Sequence, residues 1–293
     1  MPYISLADAN HCYTLTPQRD SQITMVFVHG WLLSQAYWQP LIELLSPHVQ
    51  CLSYDLRGFG RSGLGERQDF SPRGYADDLG ELLGQLRGQI GQRVWLVGHS
   101  LGGTIALWSA YRLSEHIAGV LCLNAGGGIY VKQDFEKFRR AGQVLVRLRP
   151  SWLSRISWLY ESFGRDSTHI PLGRDWGRQR LVDFVSARRE AAQQTLLQFT
   201  TAEEVHQLPQ IVAQLEQPVY FIAGDRDQIM EPQYVRYLAS FHPASRAGSC
   251  LVVELPQCGH MGMLEQTAAV KSQLMNWVLY NQEDQEAITL LQT

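Results

Sequence analysis

The run Val94-Trp95-Leu96-Val97-Gly98-His99-Ser100-Leu101-Gly102-Gly103-Thr104-Ile105-Ala106 decides how this chain is read. Its first half is apolar and β-rich, as a strand buried on both faces requires. Its second half, continuing through Leu107-Trp108-Ser109-Ala110, has the small and apolar residues of a packed helix. Between them sits Gly-x-Ser-x-Gly. A strand, a one-residue corner and a helix make a nucleophile elbow. Gly98 and Gly102 flank Ser100 because a corner that sharp leaves no room for side chains. Ser100 is expected in a strained backbone region, with its hydroxyl raised above the sheet.

A serine hydroxyl is a poor nucleophile at neutral pH. It needs a base, and the base needs an orienting acid. After an elbow of this kind, the acid precedes the histidine in the chain. Two sites answer. Ala223-Gly224-Asp225-Arg226-Asp227 follows the apolar run Pro218 to Ile222, and Gly259-His260 follows Cys250 to Leu255. Both stand just past the end of an expected strand, where a parallel sheet gathers its ligand-binding loops.

With these pieces the chain resembles the α/β-hydrolase superfamily. The matching segments are Val28-His29-Gly30-Trp31, Tyr54 to Ser62, Gly98 to Gly103, Gly224-x-x-Asp227 and Gly259-His260. The resemblance implies a mostly parallel central sheet with helices on both faces. It implies Ser100 as nucleophile, His260 as base and Asp227 as acid, with an oxyanion hole from the N–H groups of Leu101 and Trp31. Asp227 fits the family's Gly-x-x-Asp spacing, and Asp225 reads as a turn residue. His29 reads as a structural loop residue. No metal or organic cofactor is implied.

Flanking segments fit the same plan. Tyr3 to Thr16 should form an antiparallel hairpin at the sheet edge, and Ile23 to Val28 a strand buried on both faces. Tyr37 to Leu45 is an expected helix, with Trp38, Leu41, Ile42, Leu44 and Leu45 turned inward. Ser71-Pro72 opens another, with serine as N-cap and proline at the first position. The glycines of Arg57 to Gly63 lack the spacing and the helix of a phosphate cradle. Thr267 to Tyr280 is expected as a terminal helix, followed by a loose tail from Gln282.

Composition bounds the partners. The chain has 293 residues and a formal net charge of −3, so nucleic acid is not suggested. No apolar run is long enough to span a membrane, and the N-terminus lacks the shape of a signal peptide. Five cysteines stand at scattered spacings, with no zinc-ligand pattern. Cys51, Cys122 and Cys250 lie in or beside expected strands and read as buried free thiols. A cytoplasmic setting follows as the expectation.

From Ile129 to about Pro209 the strand-like pattern stops and amphipathic helices take over. The division is 1–128 and 210–293 for the core, and 129–209 for an inserted helical lid. Gly126 to Gly128 and Leu208-Pro209 are the expected hinges. The lid is rich in bulky apolar residues, of which Phe135, Phe138, Trp152, Trp158 and Phe163 are candidates to bind substrate. It is also basic: from Lys132 to Arg180, eleven cations face five carboxylates. Solvated cations over aromatic packing explain this, as do a greasy ester pocket and peripheral contact with an anionic membrane.

The expected activity is hydrolysis of a carboxylic ester with a bulky hydrophobic part. Leu181 to Glu190 and Met230 to Val235 are similar to cyanobacterial and plastid hydrolases of the chlorophyll-dephytylase type. That implies the phytyl ester of chlorophyll as substrate. A C–C bond hydrolase, a cofactor-free haloperoxidase or perhydrolase, and a ligand receptor are alternatives on the same fold.

Overall fold

The computed structural model describes residues 1–6, 8–126 and 132–292, with side chains undescribed for 132–138 and 280–292. Its sheet is built from β1 (Tyr3–Leu6), β2 (Ala9–Leu15), β3 (Ile23–Val28), β4 (Gln50–Tyr54), β5 (Arg93–His99), β6 (Ile117–Leu123), β7 (Val219–Gly224) and β8 (Val252–Leu255). The strand order is β1-β2-β4-β3-β5-β6-β7-β8. The pairs β1–β2 and β2–β4 are antiparallel, and the others are parallel. The hairpin therefore occupies one edge of the sheet, as its alternating sequence requires. Every residue of β3 is buried, which fits its nearly continuous apolar run.

Helices cover both faces: α1 (Gln39–Leu45), α2 (Pro72–Leu86), α3 (Leu101–Arg112), α9 (Pro232–Ala239), α10 (Pro243–Arg246), α11 (Gly262–Glu265) and α12 (Thr267–Gln292). Between β6 and β7 run α4 (Lys132–Arg147), α5 (Leu159–Arg165), α6 (Arg174–Ser186), α7 (Arg189–Phe199) and α8 (Ala202–Gln214), with a 3-10 turn over Ser151–Arg155. No strand interrupts this stretch among the described residues.

Local chemistry sets the helix starts. The Ser71 hydroxyl accepts the N–H of Gly74 at 3.1 Å, with Pro72 in the first turn of α2. Tyr75, Leu79, Leu82, Leu83 and Leu86 then fall on one buried stripe. Each such side chain removed from water contributes roughly 1.5–3 kcal/mol before entropy is charged against it.

Four expectations need correction. Leu44 is 43% exposed, because Leu41, Ile42 and Leu45 already define the inner face of α1. Cys250 is exposed, since it precedes the short edge strand β8, whereas Cys12, Cys51, Cys122 and Cys258 are buried free thiols. The expected tail is helical: α12 runs on to Gln292 through a sequence free of glycine and proline. Leu208-Pro209 lies inside α8 rather than in a connecting loop, and both residues are buried there with Ile211 and Val212. Of the other expected hinge, Gly126 is described in a left-handed conformation (φ 89°), while Gly127 and Gly128 lie outside the described residues.

Candidate active site

Strands β5, β6, β7 and β8 are consecutive neighbours in the sheet. Ser100, Asn124, Asp227 and His260 each follow the carboxyl end of one of them. The register fixes this, with His99 opposite Leu123, Leu123 opposite Ile222, and Gly224 opposite Leu255.

Ser100 joins β5 to α3 with φ 52° and ψ −124°, outside the regions open to most L-residues. Its N–H donates to Leu123 O at 3.1 Å. The flanking glycines are steric necessities. A Cβ on Gly98 would stand 2.4 Å from Gly102 O, and one on Gly102 would stand 2.2 Å from Val28 O. Gly30 admits a second close approach, since its Cβ would lie 3.2 Å from Ser100 Cβ. Pairing of Val28 with Gly98 brings Gly30-Trp31 alongside the corner. Leu101 is the first residue of α3, where N–H groups have no acceptor within the helix.

Asp227 is fully engaged. Its Oδ1 accepts the N–H groups of Ile229 (2.8 Å) and Met230 (2.9 Å). Its Oδ2 accepts His260 Nδ1–H at 2.8 Å and Asn124 Nδ2 at 3.0 Å. Burial pushes this carboxyl up. The charge of His260, its hydrogen bond and the two backbone N–H groups outweigh that and bring the pKa down to about 2. A carboxylate on Nδ1 leaves Nε2 of a neutral His260 as the proton acceptor. Asp225 does other work: its Oδ1 accepts Cys258 N–H at 3.3 Å.

His99 anchors the histidine loop to the corner. Its Nε2 donates to His260 O at 2.8 Å, and the two rings lie 4.8 Å apart. Burial and the neighbouring His260 push its pKa down to about 3, so it stays a neutral donor. His29 is buried, with Nδ1 on Gly30 O (2.8 Å) and Nε2 accepting Leu56 N–H (2.9 Å), a loop brace.

Asn124 went unnoticed in the sequence. It is buried with φ 47°. Besides Asp227 it donates to Gly259 O at 2.9 Å, and its Oδ1 accepts Gly262 N–H at 3.3 Å. The one available signal was a polar residue at the carboxyl end of an apolar strand.

The segment between β6 and β7 is tied to both sides of this site. Trp31 Nε1 donates to Ala192 O at 2.9 Å, and His260 N–H donates to Ser167 O at 2.9 Å. Farther off, Ser34 Oγ donates to Asp183 Oδ2 at 2.8 Å. The candidate substrate residues divide. Phe163 packs its ring on Phe184 at 5.7 Å. Trp152 (57%) and Trp158 (73%) are exposed. The side chains of Phe135 and Phe138 lie outside the described residues. An open cavity of about 910 Å³ adjoins Asp227, lined by polar residues such as Arg165, Thr168, Asp225 and Arg236. Neither Ser100 nor His260 borders it, and its lining does not suit an apolar ester.

Three comparisons bear on this arrangement. The family model described as "Alpha/beta hydrolase family" matches residues 25–273. A pimeloyl-[acyl-carrier protein] methyl ester esterase of Xanthomonas axonopodis pv. citri is 30% identical over 229 residues, covering 76% of this chain and 84% of that one. Among solved structures, a thermophilic esterase from Thermogutta terrifontis aligns with a TM-score of 0.76 at 21% identity, over 96% of this chain and 99% of that one. The enol-lactonase from Burkholderia xenovorans LB400 aligns with a TM-score of 0.75 at 19% identity, over 95% and 100%.

Proposed function

The chain belongs to the alpha/beta hydrolase family, and from that premise we propose that it hydrolyses carboxylic esters through Ser100, His260 and Asp227. The observation that carries this reading is the 2.8 Å bond from His260 Nδ1 to a fully hydrogen-bonded Asp227, two strands from a strained serine.

Ser100 Oγ attacks the ester carbonyl while His260 Nε2 takes its proton. Asp227 fixes the imidazole tautomer and favours the cation that forms. The N–H groups of Leu101 and Trp31 receive the oxyanion, each worth on the order of 3 kcal/mol when preorganised. His260 then protonates the leaving alcohol. Water, activated by the same imidazole, clears the acyl-enzyme. All of this uses groups of the chain itself, and no step calls for a metal or cofactor.

The helices between β6 and β7 act as a lid over this centre, tied to it at Trp31 and His260. The substrate in this reading is an ester with a long apolar part, the phytyl ester of chlorophyll first. The resemblance of Leu181 to Glu190 and of Met230 to Val235 supports it. A second reading, the methyl ester of an acyl chain, is favoured by the name of the Xanthomonas relative.

Purified protein offered chlorophyll, an acyl methyl ester and p-nitrophenyl esters of graded length tests both. Release of phytol faster than methanol supports the first reading, and the reverse order supports the second. No turnover of any ester would overturn the hydrolase reading itself.

A further inference from the structure

Residues 139–158 hold five arginines and neither aspartate nor glutamate. The same stretch exposes five large apolar side chains: Val144, Leu145, Leu148, Trp152 and Trp158. Leu148 is 70% exposed and Trp158 73%, more than any other large apolar residue of those described. Soluble surfaces seldom cluster such residues without a use for them.

The inner side of this stretch is anchored. Val146 is 2% exposed, and a Cβ on Gly142 would lie 3.4 Å from the Trp31 ring. Arg149 is not the surface cation its sequence suggests. It is buried, donating from Nε to Val146 O at 3.1 Å and from Nη1 to Phe184 O. The backbone is therefore held, and the outer face is presented as a fixed surface. Positions 140, 144, 147 and 148 fall on one side of α4 and its continuation. That side alternates cation and aliphatic group, with Arg140 and Arg147 exposed beside Val144 and Leu148. Arg155 is exposed between the two tryptophans.

Apolar groups flanked by arginine, with tryptophan at the border, suit the boundary between headgroups and acyl chains. An acidic protein would match the charge, but tryptophans bordering an arginine-flanked apolar strip favour the lipid interface. We infer that Val144 to Trp158 is the face by which this protein docks on an anionic lipid surface. The docking rests on the hydrolase reading for its purpose. The face lies on the outer side of the helix that packs on Trp31, the residue whose N–H serves the oxyanion in that reading.

Co-sedimentation tests this, with vesicles of phosphatidylcholine and phosphatidylglycerol against phosphatidylcholine alone. Wild-type protein should pellet with the anionic vesicles at low salt. Binding should fall at least tenfold in 1 M salt, where the Debye length is about 3 Å. Arg147→Gln with Arg155→Gln should weaken it roughly 30-fold, since each cation at the surface is worth about fivefold. Val144→Ser, Leu145→Ser and Leu148→Ser together should abolish it. Anionic vesicles should shift the emission to the blue, and Trp152→Phe with Trp158→Phe should remove that shift.

Turnover of p-nitrophenyl butyrate separates this proposal from the hydrolase reading. It should persist in the arginine and aliphatic variants, which also shows that they fold. Wild-type protein left in the supernatant, or variants that pellet like wild type, would overturn the docking face. Retention by an acidic carrier protein without vesicle binding would overturn it too. Loss of p-nitrophenyl turnover from wild type would strike the hydrolase reading instead.

Discussion

Asn124 Nδ2 donates to Asp227 Oδ2 across 3.0 Å, on the same oxygen that takes the bond from His260 Nδ1. The amide thus fixes the carboxylate that fixes the imidazole. It also clasps the histidine loop at Gly259 O and Gly262 N–H. Replacing Asn124 by Ala leaves these buried groups short of partners, at about 1–3 kcal/mol each. The variant should lose stability in urea and at least tenfold in kcat/KM. Asn124→Asp should be worse in turnover at neutral pH, because a second carboxylate would stand against Asp227. Unchanged kinetics in both variants would remove Asn124 from the site.

The two aspartates of the β7 loop should separate cleanly. Asp227→Asn loses the carboxylate on His260 and should cost on the order of 10⁴ in kcat. Asp225→Asn weakens one bond to Cys258 N–H and should stay within about tenfold of wild type. Steady-state kinetics on one soluble ester decides, and equal losses would show that the wrong carboxylate carries the role.

Asp183 gives a pH signature. Burial pushes its carboxyl up to about 6, opposed in part by hydrogen bonds from Gln179 and Ser34. In the unfolded chain it titrates near 4. The folded state thus holds the proton more tightly. Its favourable contribution is complete below about pH 4 and is lost as pH rises through 6. Wild-type stability relative to Asp183→Asn should fall by roughly 2 kcal/mol from pH 4 to pH 7. Urea unfolding of both proteins at the two pH values checks this, and a pH-independent difference would contradict it.

Two glycines make opposite forecasts. Gly102→Ala drives a methyl into Val28 O and should destabilise by about 3 kcal/mol or more. Gly84, inside α2, has nothing within 4 Å of an added Cβ, so Gly84→Ala should stabilise by roughly 0.5–1 kcal/mol. Urea midpoints measure both.

What could be read from the sequence was local. The corner at Ser100 is enforced by neighbours in the chain, so Gly-x-Ser-x-Gly announces it. The Gly-x-x-Asp spacing of the family resemblance pointed to Asp227 over Asp225, and it is Asp227 that bonds His260. The roles that escaped are tertiary. Asn124 meets Asp227 across 103 positions of sequence. Arg149 reads as one more surface cation until the carbonyls of Val146 and Phe184 are seen to take its guanidinium. Leu208-Pro209 reads as a hinge, yet α8 runs through it with both residues buried. Ser167 O, which holds the His260 backbone, leaves no trace in residue type at all.

The central claim is that Ser100 is the nucleophile, and fluorophosphonate labelling of wild type beside Ser100→Ala tests it most directly. Wild-type protein should take one label, on the peptide containing Ser100. The variant should take none, keep its circular dichroism spectrum, and lose ester turnover by a factor on the order of 10⁵–10⁶. A label that persists in Ser100→Ala, or falls on another residue of the wild-type chain, would contradict the account.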